Sequence, residues 1–418
     1  MLREKALICG LFSVRQKETE ISACMIELRA LCRTAGADVV AETWQKRNAP
    51  DRKYLIGLGK AEEIRLQIAA SAADLVVFFN GLSALQQRNM EDLLGVKVID
   101  RSRLILDIFA KRARSIEGKL QVELAQLLYM LPRLTGKGVG LSRLGGGIGT
   151  RGPGESKLET DRRLIKDKIS HIRRKLETVL KNRDVQRQRR RSLPVPLVSL
   201  VGYTSAGKST LFKTLSGEEV FISDKLFSTL DPLLRRVDLF DIHPGYYFIL
   251  SDTVGFIRSM PDELYTSFQA SLEEVHHADL VLHVIDVTNS DWLGQKIEVE
   301  RVLKQLKIAQ EKIITVYNKI DLLADREALL KKKGRREVYV SAVEPLGIAV
   351  LKEEIFQNYF TDYELFQLEV ASEQKLDALS QWAIILEKNR IDGVFRVGVL
   401  SSREKMLKFR EKHGGPIQ

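Results

Sequence analysis

The residues best able to do chemistry in this 418-residue chain lie between positions 202 and 343. Gly202, Tyr203, Thr204, Ser205, Ala206, Gly207, Lys208, Ser209 and Thr210 follow an apolar run, Leu197–Val201, and open a helical stretch, Lys208–Leu215. A glycine-rich turn between strand and helix lets backbone N–H groups converge on phosphate oxygens, and the helix N-terminus adds a favourable dipole. There Lys208 would neutralise β- and γ-phosphates and the Ser209 hydroxyl would ligate Mg²⁺. Asp252, Thr253, Val254 and Gly255 close a second apolar run, Tyr247–Leu250. Asp252 would hold the magnesium through water, and the Gly255 N–H would sense the γ-phosphate. Asn318, Lys319, Ile320 and Asp321 close a third run, Lys312–Tyr317. The Asp321 carboxylate suits the N1–H and 2-amino donors of guanine, which adenine cannot both offer. Ser341, Ala342 and Val343 follow a fourth run, Glu337–Val340, and would close over the base. Thr229, in the loop segment Phe227, Ser228, Thr229, Leu230 and Asp231, supplies one more hydroxyl for magnesium. Lys208, Thr229 and Gly255 are the catalytic candidates. The five motifs stand in order at strand ends or in linking loops, where open α/β sheets bind their ligands, and together they predict a GTP site.

Such motifs need a mostly parallel sheet with helices on both faces, and residues 194–360 read as that G domain. Residues 1–103 read as a separate α/β domain. Its strands are Ala6–Val14, Asp38–Thr43, Asp74–Asn80 and Val96–Asp100, and its helices are Glu18–Thr34, Lys60–Ala72 and Ala84–Leu94. Residues 104–193 read as a long helical hairpin. One stripe is Ile116, Leu120, Leu124, Leu127, Leu131 and Leu134; the other is Leu158, Ile165, Ile172 and Val179, with Ile169 and Leu176 alongside. Stripes of this kind bury each other, and Pro132 should kink or end the first helix. A glycine-rich connector, 135–154, joins them. Residues 361–418 read as a small α/β tail: strand Leu365–Val370, helix Glu373–Asn389, strand Gly393–Leu400 and a last helical stretch.

The formal charge of +11 is concentrated. Residues 133–191 hold 18 Lys/Arg against 6 Asp/Glu, an excess of +12 that accounts for the whole imbalance. Charge runs are usually solvated faces, but this one flanks a glycine arm and points to nucleic acid. No apolar run reaches the roughly 18 residues of a membrane span, and neither long helix joins basic residues to exposed aromatics, which leaves at most peripheral membrane contact. Cys9, Cys24 and Cys32 are an odd, sparse set, as expected of reduced thiols in the cytoplasm, and no Cys/His spacing suits zinc. The six histidines form no triad. Gly57–Ile64 precedes a helix and could cradle a second nucleotide. It lacks the Lys-Ser/Thr ending and magnesium ligands, so a structural turn is the better reading.

The chain resembles the HflX family of translation-factor-type GTPases along most of its length. The resemblance is carried by Gly202–Thr210, Phe227–Pro232 and Asp252–Ile257. More diagnostic is Gly146–Arg163 (GGIGTRGPGESKLETDRR), which resembles the family's glycine-rich connector, and Gly57–Ile64 resembles a family N-terminal element. The resemblance implies a GTPase that binds the large ribosomal subunit and its rRNA and splits or rescues stalled ribosomes. The sequence does not fix the oligomeric state, and a monomer is the expectation. The alternative is an RNA-binding or remodelling module with the G domain as its clock. Ser205 replaces the family's asparagine, which in related GTPases helps hold a monovalent cation, so cation activation does not carry over. Phe256 occupies the place where many GTPases have a water-positioning glutamine. The nearest basic residues in sequence to the switches are Arg235, Arg236 and Arg258.

The basic segment yields the first prediction. Binding to ribosomal RNA should weaken steeply with salt, because each neutralised phosphate releases counterions. Replacing Arg143, Arg151, Arg162 and Arg163 by Ala should lower affinity and flatten the slope of log K against log salt; an unchanged slope would contradict it.

Overall fold

The structure, a computed structural model, describes residues 3–136, 157–191, 194–217, 226–227, 233–253, 255–258, 274–331, 334, 336–391 and 394–413. The connector beyond Gly136, its continuation to Ser156, and Ser228, Thr229, Leu230, Asp231 and Val254 lie outside these residues. The chain divides into two compact bodies. One is built on Met1–Glu177 and includes Leu226 and Phe227; the other holds the described residues of 178–217, 233–258 and 274–413.

In the first body, strands β1 (Lys5–Phe12), β2 (Asp38–Lys46), β3 (Leu75–Phe78) and β4 (Lys97–Asp100) alternate with helices α1 (Glu18–Ala35), α2 (Leu58–Ser71) and α3 (Ala84–Leu94). The sheet order is β2-β1-β3-β4, with every pair parallel. Covered on both faces, β1 is buried from Ala6 to Phe12, which is why it reads as a continuous apolar run. Gly57 opens α2; its N–H donates to Gln45 Oε1 (2.8 Å), and Lys60 Nζ donates to Glu63 Oε1 (2.9 Å). Helix α4 (Arg101–Arg112) follows β4 without a break and was not distinct in the sequence pattern.

The junction is organised by the buried Asp100 carboxylate. It accepts from the N–H groups of Leu82 (3.0 Å) and Arg103 (2.9 Å), from Tyr129 Oη (2.9 Å) and from the Arg133 guanidinium (3.0 Å). Helix α5 (Ile116–Met130) ends just before Pro132 and passes into a 3₁₀ turn, Leu131–Gly136. The stripes meet over part of their length, and Ile116 at the start of the first stands exposed. Leu124 and Leu127 of α5 pack with Ile169, Ile172 and Leu176 of α6 (Lys157–Arg191).

The second body contains a six-stranded sheet of β5 (Leu197–Gly202), β6 (Leu233–Asp238), β7 (Tyr247–Asp252), β8 (Leu280–Asp286), β9 (Ile313–Asn318) and β10 (Glu337–Tyr339). Its order is β10-β9-β8-β5-β7-β6, parallel except for the edge strand β6. Helices α7 (Lys208–Ser216), α8 (Trp292–Gln305), α9 (Arg326–Lys331) and α10 (Ile348–Tyr359) connect the strands. From β5 and β7, Val198, Leu200, Phe248 and Leu250 enter a core that also includes Phe212 of α7, while Ser199 and Ser251 are buried outside it.

The tail forms an antiparallel sheet, β11 (Tyr363–Val370), β13 (Val394–Ser402) and β12 (Ile384–Ile391), with helices α11 (Glu373–Leu379) and α12 (Arg403–His413). This corrects the expected helix Glu373–Asn389, which stops at Leu379. From Ile384 onward the chain pairs with β13, and Glu387 and Lys388, good helix formers, stand exposed on an edge strand. Ladder pairing against the buried β13 outweighs local helix propensity there. Among the described residues no helix is long and apolar enough to cross a membrane.

Candidate functional site

The carboxyl ends of β5, β7 and β9 carry the first, second and third motifs, so strand order alone brings them together. The turn after β5 enters α7 through Gly207 at φ +92°, and a Cβ there would stand 2.2 Å from Asn318 Nδ2. Only glycine tolerates both the dihedral and the approach. The neighbour is a working part of the site: Asn318 Nδ2 donates to the Ala206 carbonyl (2.9 Å) and its Oδ1 accepts the Ala342 N–H (3.1 Å). One side chain thus joins the first, third and fourth motifs.

Lys208 is buried, and its ammonium donates to the carbonyls of Gly202 (3.0 Å) and Tyr203 (2.8 Å). Burial pushes its pKa down to about 8, with Asp252 acting in the opposite sense. Ser209 Oγ donates to Asp252 Oδ2 (3.1 Å), placing a hydroxyl and a carboxylate side by side. Thr253 Oγ1 donates to the Leu200 carbonyl (2.6 Å). Gly255 lies where a Cβ would be 2.9 Å from Thr204 Cγ2 and 3.0 Å from Lys208 Nζ. Thr210 lies in the first turn of α7, and Ser205 sits exposed at φ +62°.

The segment after Gly255 is stitched to the first loop. Phe256 N–H donates to the Gly202 carbonyl (3.0 Å) and Thr204 N–H to the Phe256 carbonyl (2.8 Å). The Phe256 ring is buried. Tyr203 Oη accepts the Arg258 N–H (2.6 Å), and the Arg258 guanidinium ion-pairs with Asp291. Sequence reasoning missed this Tyr203–Arg258 link. It also missed Asp286, at the end of β8, which accepts from Lys319 Nζ (2.6 Å); a carboxylate closing an apolar run was the available signal. Arg236 is engaged by Asp238 and lies over the Tyr247 ring, while Arg235 donates to the Leu234 carbonyl.

On the base side, Lys319 takes φ +68° and Ile320 is buried. Asp321 Oδ1 is buried with no hydrogen-bond partner among the described residues, an acceptor suited to a donor pair on a base. Ser341 is buried and its Oγ accepts the Glu344 N–H (3.1 Å). Ala342 is held by Thr214 Oγ1 through its carbonyl (2.6 Å), and Val343 is exposed. Phe227 belongs to the first body. Its ring lies 4.6 Å from that of Phe109, its carbonyl accepts from Arg112 (2.5 Å), and the Leu226 N–H reaches Thr34 Oγ1 (3.2 Å). His283 is buried in β8 and its pKa is pushed down to about 3, chiefly by burial, which keeps it neutral. Cys9, Cys24 and Cys32 are buried free thiols.

A phosphate-type loop and a base loop sharing one asparagine at the end of a mostly parallel sheet is the arrangement of the P-loop GTPases, and this protein is a GTP hydrolase of that class. Three family descriptions match along the chain: GTP-binding GTPase N-terminal at 22–110, GTP-binding GTPase Middle Region at 112–190, and 50S ribosome-binding GTPase at 197–319. A GTPase HflX from Caldanaerobacter subterraneus subsp. tengcongensis is 48% identical over 364 residues, covering 87% of this chain and 82% of that one. The Escherichia coli (strain K12) GTPase HflX is 44% identical over 351 residues, 83% of this chain and 81% of that one. The chain belongs to the HflX family of GTPases. A GTP-binding protein from Sulfolobus solfataricus, solved in complex with GDP, aligns at TM-score 0.44 and 23% identity over 85% of this chain and 98% of that one.

Gly207→Ala tests the shared-asparagine geometry. A left-handed alanine costs about 1–2 kcal/mol before any clash with Asn318, so titration with a fluorescent GDP analogue should show at least roughly tenfold weaker binding. Binding as tight as wild type would show that the close approach is not needed.

Proposed function

We propose that this chain binds GTP together with Mg²⁺, hydrolyses it to GDP and phosphate, and does so on the large ribosomal subunit, where it splits or rescues stalled ribosomes. The nucleotide lies along the carboxyl ends of β5, β7 and β9, with its base at Asn318, Lys319, Asp321 and Ser341–Val343. Its phosphates take up the N–H groups of the Gly202–Thr210 turn. Lys208 exchanges its two carbonyl acceptors for β- and γ-phosphate oxygens, and the Gly255 N–H reads the γ-phosphate. The Ser209 hydroxyl and the Asp252 carboxylate, 3.1 Å apart, are hard oxygen donors of the kind magnesium takes. They would hold the ion with Thr229, and the bound ion would neutralise phosphate charge.

The observation that carries the ribosomal half is Phe256. Its backbone is paired to Gly202 and Thr204 and its ring is buried, so the residue after Gly255 has nothing with which to hold an attacking water. Hydrolysis rests on positioning and charge, and a chain lacking one positioning group depends on a partner to supply or order it. The basic helix α6 and the match to a 50S ribosome-binding GTPase description support the large subunit as that partner.

Single-turnover hydrolysis with and without large ribosomal subunits tests this. The isolated protein should be slow and subunits should accelerate it on the order of 10³-fold or more, the range reached when a stabilising group arrives in trans. Phe256→Gln should narrow that gap. Fast hydrolysis by the isolated wild type, indifferent to subunits, would contradict the proposal.

A further inference from the structure

The second body has a cavity of about 670 Å³ that the nucleotide reading does not use. It lies at the amino ends of β5, β7, β8 and β9, marked by Leu197, Ile249, Asp279 and Lys312, whereas Gly202, Asp252 and Asn318 stand at the opposite ends of β5, β7 and β9. Tyr359 of α10 and Gln381 and Lys405 of the tail close its other side. The volume falls within the roughly 300–1,000 Å³ of small-molecule pockets.

The lining has two characters. Val195, Leu197, Leu234 and Ile249 make an apolar wall. The lining also holds four cationic side chains, Arg235, Arg236, Lys312 and Lys405, against two carboxylates, Glu274 and Asp279. Asp279 already accepts the Leu197 N–H (2.8 Å) and Arg236 is paired with Asp238. Lys312 donates to the Ala278 carbonyl (3.1 Å) and Lys405 to Tyr363 Oη (2.5 Å), and among the described residues neither lysine has a carboxylate within ion-pair distance. Tyr363 in turn donates to the Pro194 carbonyl (2.9 Å), which fixes the acceptor under Lys405. An ammonium carries three donors, so each lysine has further N–H capacity directed by a partner that is neutral. Burial lowers the Lys405 pKa and Asp362, Asp279 and Glu404 act in the opposite sense without cancelling it, so an anion in the cavity would add to their effect.

We propose that this cavity binds a small organic anion, with its phosphate or carboxylate head at Lys312 and Lys405 and its apolar or aromatic body against Leu197, Leu234 and Ile249. The site is separate from the nucleotide motifs, so its occupancy is measurable with the nucleotide site saturated.

The probe is 1-anilinonaphthalene-8-sulfonate, titrated by fluorescence into the full-length protein in excess GDP. One saturable equivalent is expected. Octanoate or adenosine 5′-monophosphate should displace it, and which of the two does so separates a carboxylate from a phosphate ligand. Octanol and adenosine, which keep the bodies and lose the charge, should displace it at least tenfold less well. Lys312→Met/Lys405→Met should weaken the probe at least tenfold with GDP binding intact. Displacement by octanol as effective as by octanoate, tested on wild type alone, would overturn the proposal. So would a double variant that binds the probe as tightly as wild type, or displacement by none of the four compounds.

Discussion

The nucleotide end of the sheet depends on one carboxamide. Asn318 closes β9 and reaches across to the Ala206 carbonyl with its nitrogen and to the Ala342 N–H with its oxygen. Buried polar groups left without partners cost about 1–3 kcal/mol each, so the contact holds both loops in register as well as linking them. It dictates glycine at position 207, because no side chain fits beside the amide. That glycine starts α7, which sets Lys208 and Ser209 facing Asp252. A defect at Asn318 would therefore propagate to the phosphate and base sides together.

The second constraint is electrostatic. Lys208 is buried, its acceptors among the described residues are two carbonyls, and its pKa is pulled down to about 8 by that burial. A group so poorly solvated gains from an incoming phosphate more than a surface lysine would, since opposite charges attract more strongly away from water. The same enclosure surrounds Phe256, whose backbone links to the loop leave its ring in the core. On the proposed reading, phosphate charge is thus well provided for, while water positioning is not.

Much of this was legible in the sequence for a definite reason. The candidate residues sit where apolar runs end, so the places of Gly202, Asp252, Asn318 and Ser341 at or just beyond strand ends could be read from composition and order before any contact was known. The N-terminal sheet was legible because β1 and β3 are buried strands that read as apolar runs. What escaped has equally definite causes. Edge strand β6 (Leu233–Asp238) mixes arginines with leucines and shows no clean period. Strand β12 carries Leu386, Glu387 and Lys388, whose propensity is helical and whose state is set by pairing with β13. The Tyr203–Arg258 link and the Asp100 cluster join residues 55 and up to 33 positions apart, and no spacing rule reports such contacts.

The claim on which the account rests most heavily is that Asp321 reads guanine. Competition between GTP, ATP and XTP for a bound fluorescent GDP analogue, run on wild type and on Asp321→Asn, tests it directly. Wild type should prefer GTP over both rivals by at least roughly tenfold, because a mismatched base leaves the buried carboxylate oxygen unpaired. Asp321→Asn should shift that preference to XTP, whose C2 oxygen and ring nitrogens reverse the donor–acceptor match. A wild type that binds ATP as well as GTP, or an Asp321→Asn variant that keeps its preference for guanine, would contradict the account.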